Sequence, residues 1–182
     1  MTDFETRPPD WLSVWEALDR VLAHAKALET ETVPVSESLG RALATGVVAG
    51  ATLPPWDNSA MDGYGVRHRD LSGASPTSPL RLRVVGELKA GDPSGSKLGE
   101  GEAVRIMTGA PLPAGADAVV RVEDTDAETV PGTVVISVYP EAGKDVRPGG
   151  QDMKEGEEVL LAGTTVGPGQ IGLLAASGTE EV

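Results

Sequence analysis

The sequence predicts a mainly β protein with some α-helix, and three observations support that expectation. Its 182 residues include 23 Gly and 14 Pro. These fall between short apolar runs, the spacing of strands and turns and not of a helical bundle. Leu80, Leu82 and Val84 alternate with Arg81 and Arg83, the two-residue period of a sheet with one solvated face. Sustained helical periodicity is confined to a segment near each end.

Residues from Met1 to Asp10 read as a polar leader. Ser13 and Glu16 form a capping box, and Val14, Leu18, Val21, Leu22, Ala25 and Leu28 recur at helical spacing, so a helix is predicted from Ser13 to Leu28. His24 lies beside that stripe as an ordinary helix histidine, and Trp11 and Trp15 read as anchoring contacts. Val33 to Val35 is a predicted short strand, and Ser36 a cap for a brief helix through Leu43. From Pro54 the period changes to that of strands, predicted at Tyr64 to Val66, Leu80 to Val85, Ala103 to Met107, Ala118 to Val122 and Val134 to Val138. Gly91 to Gly101 and Glu123 to Gly132 are loops between them, the acidic residues of the second being read as a solvated surface. Glu158 to Leu161 is a further strand. Pro168 then starts a helix bearing Ile171, Leu174 and Ala175, which Gly178 stops.

A chain of this length is one ordinary domain or two small ones. With only 3% aromatic residues, its core must be built from Val, Leu, Ala and Ile. The formal net charge of −13 argues against nonspecific binding to nucleic acid or to an anionic membrane. The absence of Cys excludes disulfides and thiolate metal sites. No long apolar span or signal-peptide pattern is present, so a cytoplasmic location is expected.

The segment from Leu53 to Val66 packs Asp57, Asn58, Ser59 and Asp62 around a Gly63–Gly65 turn behind the stiff Pro54-Pro55 pair. A polar turn opening a strand accounts for Asp57 and Asn58, but poorly for Ser59, Met61 and Asp62 together. Arg105 through Pro113, Gly115 through Val120, and Arg147 through Asp152 follow in order. These blocks resemble the signature of the molybdopterin molybdenumtransferases, the MoeA and gephyrin E-domain family.

That resemblance implies an elongated mixed α/β domain, residues 1–53 and 141–182, carrying an inserted β domain, residues 54–140. It implies a reaction in which adenylated molybdopterin and molybdate, with Mg²⁺, yield molybdenum cofactor and AMP. It further implies a homodimer, working downstream of a molybdopterin adenylyltransferase. The family's catalytic and C-terminal domains would follow Val182, so the chain alone is expected to be inactive. A non-catalytic scaffold of the same fold, or a generic β binding module suggested near Met153-Lys154, are the alternative readings.

By the same resemblance, Asp62 and Thr108 match functional positions. A carboxylate on a Gly-bracketed turn can orient water or bind Mg²⁺, which makes Asp62 a possible metal ligand. Thr108, at a strand end, could hold a phosphate or molybdate oxygen, or simply bond its own turn. Asn58, Ser59 and Arg105 are candidate binding residues, although the spacing of Arg105 from Thr108 puts the two on opposite sides of a straight strand. Arg147 and Asp152 match family positions and could bind an anion or pair with each other. Pro148-Gly149 and Gln151 depart from the more basic and acidic residues usual there. His68 reads as surface.

Overall fold

The computed structural model describes residues 11–182, so the polar leader lies outside the described residues. The chain divides into two units, the second of them Val33–Val182. In the first, helix α1 spans Val14–Leu22. The Ser13 hydroxyl accepts from the Glu16 amide at 3.2 Å, and the Glu16 carboxylate accepts from the Ser13 amide at 2.7 Å. Two of the helix's free donors are thereby satisfied. The helix ends well before Leu28. His24 N–H donates to Val21 and Ala25 N–H to Leu22, tightening the chain into three-residue turns. The His24 ring also lies 2.8 Å from the Arg20 carbonyl, Nδ1 facing the oxygen, a side-chain partner for an end group that helix geometry leaves bare. None of the α1 residues is buried. Trp11 and Trp15, expected as anchors, are 64% and 74% exposed.

The second unit closes on itself. Val33 and Val182 exchange backbone hydrogen bonds of 2.8 and 2.9 Å, and β1 (Val47–Val48) pairs with β9 (Glu158–Leu160). Val35 and Leu43 from one end share a core with Leu160, Val166 and Leu174 from the other. Helix α2, Pro168–Ala176, starts on Pro168, and Gly178 leaves it at φ +79°, the left-handed stop that glycine permits. The predicted strand at Val33 to Val35 reduces to a single bridge from Pro34 to Glu181. The helix expected from Ser36 to Leu43 does not form. The Ser38 hydroxyl donates to the Val35 carbonyl at 2.7 Å and Gly40 turns left-handed, so one 3₁₀ turn, Val35–Glu37, is all that remains.

Between these ends lies a sheet in the order β6-β3-β5-β4-β7. Its strands are β3 (Gly63–Val66), β4 (Leu80–Leu88), β5 (Glu102–Ile106), β6 (Ala118–Arg121) and β7 (Thr133–Ile136). Only β4 and β5 run parallel; the other pairs are antiparallel. Alternation sends Tyr64, Val66, Leu82, Ala103, Val120 and Val134 to one core, and Val104, Ile106 and Val119 to the opposite one with Leu98 and Ala110. The five strands predicted here all appear, β4 running on to Leu88. The acidic loop after β6 is less free than its composition suggested. Asp126 Oδ1 accepts the Val135 amide at 2.8 Å, tying the loop back to β7. A two-residue ladder of β2 (Asn58–Ser59) with β8 (Val146–Arg147) joins the front of the sheet to the later chain. No helix among the described residues is long and apolar enough to cross a membrane.

Candidate functional site

The turn between β2 and β3 carries Asp62, and three separate segments of the later chain hold it. Ser59 exchanges backbone bonds with the 109–110 turn, donating to Ala110 at 2.9 Å and accepting from Gly109 at 2.8 Å. The Ala60 amide donates to the Asp145 carbonyl at 2.9 Å, and the Val122 amide to the Asp62 carbonyl at 3.2 Å. Inside the turn the buried Ser59 hydroxyl donates to the Met61 carbonyl at 2.5 Å. Gly63 is required immediately after Asp62, because a Cβ there would stand 2.0 Å from the Val120 carbonyl oxygen.

Thr108 reaches this turn because Ile106, at the end of β5, lies opposite Gly63. Its amide and its hydroxyl both donate to Asp62 Oδ1, each at 2.8 Å. Gly109, at φ +81°, then turns the chain away. The Thr108 amide, then its hydroxyl, and more weakly the charge of Arg105 hold the Asp62 carboxyl below its ordinary value, against a small opposing effect of burial. Asp62 and Thr108 are both exposed, and Oδ2 of Asp62 makes no hydrogen bond within the described residues. The result is a fixed carboxylate with one oxygen engaged and the other open to a ligand. Both Thr108 donors are spent on Asp62 and neither faces outward, so Thr108 acts here through Asp62.

The other predicted residues fall around this pair without joining it. Arg105 lies over the Tyr64 ring, 5.0 Å from its centre, and reaches Asp62 only as a field. Asn58 is buried, its amide donating to the Trp56 carbonyl at 3.2 Å. Arg147 stands opposite Asn58 in the β2–β8 ladder, and its guanidinium pairs with exposed Asp152 at 2.6 Å. Asp57 accepts the Gly149 amide at 2.7 Å. The segments around Asn58, Thr108 and Arg147 are thus stitched into one surface.

Two arrangements have no signal in the local sequence. Arg121 closes on both oxygens of Asp145, at 2.8 and 3.0 Å, with Asp145 in the left-handed region at φ +53°. Bonding to Arg121 is the chief cause that holds the Asp145 carboxyl low. His68 is more than a surface residue. Its ring Nδ1 lies 2.8 Å from Asp117 Oδ2, its amide donates to Oδ1 at 2.7 Å, and Tyr139 stacks on it. Burial pushes the Asp117 carboxyl up, but the His68 amide, ring and charge together carry it below the ordinary value. Among the described residues, no three His, Asp or Glu stand together as a metal-binding group.

Comparison with known proteins agrees with the family resemblance. The pattern of the family described as the MoeA N-terminal region (domain I and II) matches residues 12–178. A molybdopterin molybdenumtransferase of Bacillus subtilis is 40% identical over 180 residues, covering 98% of this chain and 41% of that protein. Molybdopterin molybdenumtransferase 2 of Mycobacterium tuberculosis is 43% identical over 164 residues, covering 90% and 40%. A solved structure of a molybdopterin biosynthesis MoeA protein from Pyrococcus horikoshii superposes with a TM-score of 0.79 at 34% identity, over 85% of this chain and 40% of that one. The chain therefore spans less than half the length of these relatives. With its sheet and its matched span agreeing, the chain belongs to the MoeA N-terminal family.

Proposed function

We propose that this chain is the part of a molybdopterin molybdenumtransferase that presents Asp62 to the substrates, in an enzyme that inserts molybdate into adenylated molybdopterin and releases AMP. The observation that carries this reading is the double bond from Thr108 to Asp62 Oδ1. It keeps the carboxylate ionised and aims its second oxygen outward. An ionised, oriented carboxylate can accept a proton or hold a polar hydrogen of a bound substrate. Thr108 sets its orientation and charge state. Arg105 adds a nearby positive field, which matters in a chain of net charge −13 that is to receive anions.

Magnesium would find one protein oxygen here, Oδ2 of Asp62. That donor set is compatible with Mg²⁺, which takes one or two carboxylates and completes its shell with water and phosphate oxygens. When bound, the ion would neutralise charge on the phosphate.

The same reading makes the protein a homodimer, with residues 54–140 as a domain inserted between 1–53 and 141–182. The core shared by the two ends of the second unit supports the insertion. The exposed Val14, Trp15, Leu18 and Val21 of α1 support self-association.

The test is a chimera in which residues 1–182 replace the matching region of the Bacillus subtilis relative. The expected result is molybdenum insertion and AMP release by the chimera, and neither by the 182-residue chain alone. A folded chimera with no activity, or an active isolated chain, overturns the proposal.

A further inference from the structure

The far end of the sheet carries a cleft. β3 leads from the Asp62 turn at Gly63 to Arg67, and four residues of strand put these ends about 13 Å apart. β5, antiparallel to it, runs from Gly101 and Glu102 up to Thr108. β4 begins beside the start of β5, with Arg83 opposite Glu102. An open cleft of about 520 Å³ lies at this end, lined by Arg67, Arg69, Asp70, Arg81, Glu100 and Gly101 among others. Its three lining cations are all arginines, in a chain whose net charge is −13.

The charges of the cleft are not used alike. Asp70 is spent on structure: its Oδ2 accepts the Gly101 amide at 3.0 Å and pairs with Arg67 Nε at 3.5 Å. That carboxylate orients Arg67 and pins the β5 approach. Arg83, just outside, pairs with Glu102. Arg69 and Arg81 are exposed and make no ion pair or side-chain hydrogen bond within the described residues. The backbone of Arg81 is locked in the sheet opposite Val135. The guanidinium groups of Arg69 and Arg81 therefore line the same cleft of ligand size as Arg67 with no carboxylate among the described residues bonded to them, although the charge of Arg69 also reaches Asp117. Their planar forks match phosphate oxygens, which a mobile lysine does not. Glu100 opposes an anion there, and Asp70 does so less because Arg67 and the Gly101 amide engage it.

We propose that this cleft binds a phosphate-bearing small molecule, held by Arg69 and Arg81 with Arg67 at its base. The proposal is independent of the reading of Asp62, which lies at the other end of β3.

The test is titration of the 182-residue chain with inorganic pyrophosphate at constant ionic strength, followed by NMR of the Gly101 amide and the arginine side chains. Saturable shifts are expected, with a dissociation constant on the order of 1 mM or tighter. Arg69→Gln with Arg81→Gln should weaken binding at least tenfold without lowering the melting temperature. Glu100→Gln should tighten it severalfold, a gain that misfolding cannot produce. Should the double variant unfold, Arg69→Lys with Arg81→Lys keeps the charge and loses the forks, and must still bind more weakly. Shifts that do not saturate, that chloride reproduces, or that survive the arginine substitutions overturn the proposal. So does an unchanged affinity in Glu100→Gln.

Discussion

Arg121 holds both carboxylate oxygens of Asp145, and the two residues grip the Asp62 turn from opposite sides. Arg121 is the register partner of Gly63 and precedes Val122, whose amide holds the Asp62 carbonyl. Asp145 offers its own carbonyl to Ala60. Loss of the fork should therefore loosen the turn before it unfolds anything. Arg121→Met is expected to speed amide exchange at Ala60 severalfold while distant β7 amides stay protected. Asp145→Asn keeps a residue that tolerates the left-handed conformation, whereas Asp145→Val should cost roughly 1–2 kcal/mol more. Equal stability of the two Asp145 variants in urea denaturation would contradict the backbone assignment.

Thr108→Val separates the hydroxyl from the amide. The Asp62 carboxyl titrates below its ordinary 3.8, with the amide bond the largest cause and the hydroxyl the second. The valine variant should bring the titration part of the way back up. The linkage sign follows: a depressed carboxyl stabilises the fold fully above its unfolded value and loses that contribution as pH falls through the lower folded value. The wild-type turn should thus persist to lower pH than that of the variant. Carbon-detected NMR titration of Asp62 measures this, and an unmoved Asp62 would remove Thr108 from its positioning role.

Asp62→Asn should leave the fold intact, because the side chain is exposed and the backbone of the turn is held by other residues. In the Bacillus chimera it should lower molybdenum insertion on the order of a hundredfold or more. A large fall in melting temperature with activity per folded molecule unchanged would make Asp62 a structural residue only.

Gly63→Ala tests the close approach beneath the site. Its new Cβ would meet a backbone carbonyl at 2.0 Å, which no side-chain rotation relieves. A loss of roughly 1–3 kcal/mol is expected, read as a lower urea midpoint. A neutral effect would mean that β3 and β6 can separate locally.

Much of this architecture is legible in the sequence where a local rule operates. Ser13 with Glu16, the Leu80–Val84 alternation, and Pro168 with Gly178 each announce an element through contacts a few residues long. Family resemblance points to Asp62 and to Thr108 separately, but the bond between them spans 46 residues and is not foreseen by it. His68 and Asp117 are 49 residues apart, and Arg121 and Asp145 are 24 apart. Register alone brings these together, and no periodicity encodes register across a loop. β1, β2 and β8 are two-residue strands, too short for any alternation to show. The end of α1 at Leu22 was missed because the apolar spacing continues past it, while local three-residue turns and the His24 ring stop the helix.

The shared core of Val35, Leu43, Leu160, Val166 and Leu174 sets an order on the birth of the protein. At roughly 5–20 residues per second, a ribosome needs on the order of ten seconds to travel from Leu43 to Leu174. Throughout that interval the first apolar residues of the unit have no native surface to meet. The central sheet, whose partners all lie between Gly63 and Ile136, is free to form meanwhile. The earliest-made residues are thus among the last to find their places, and a nascent chain halted before Leu160 would still expose them to chaperones.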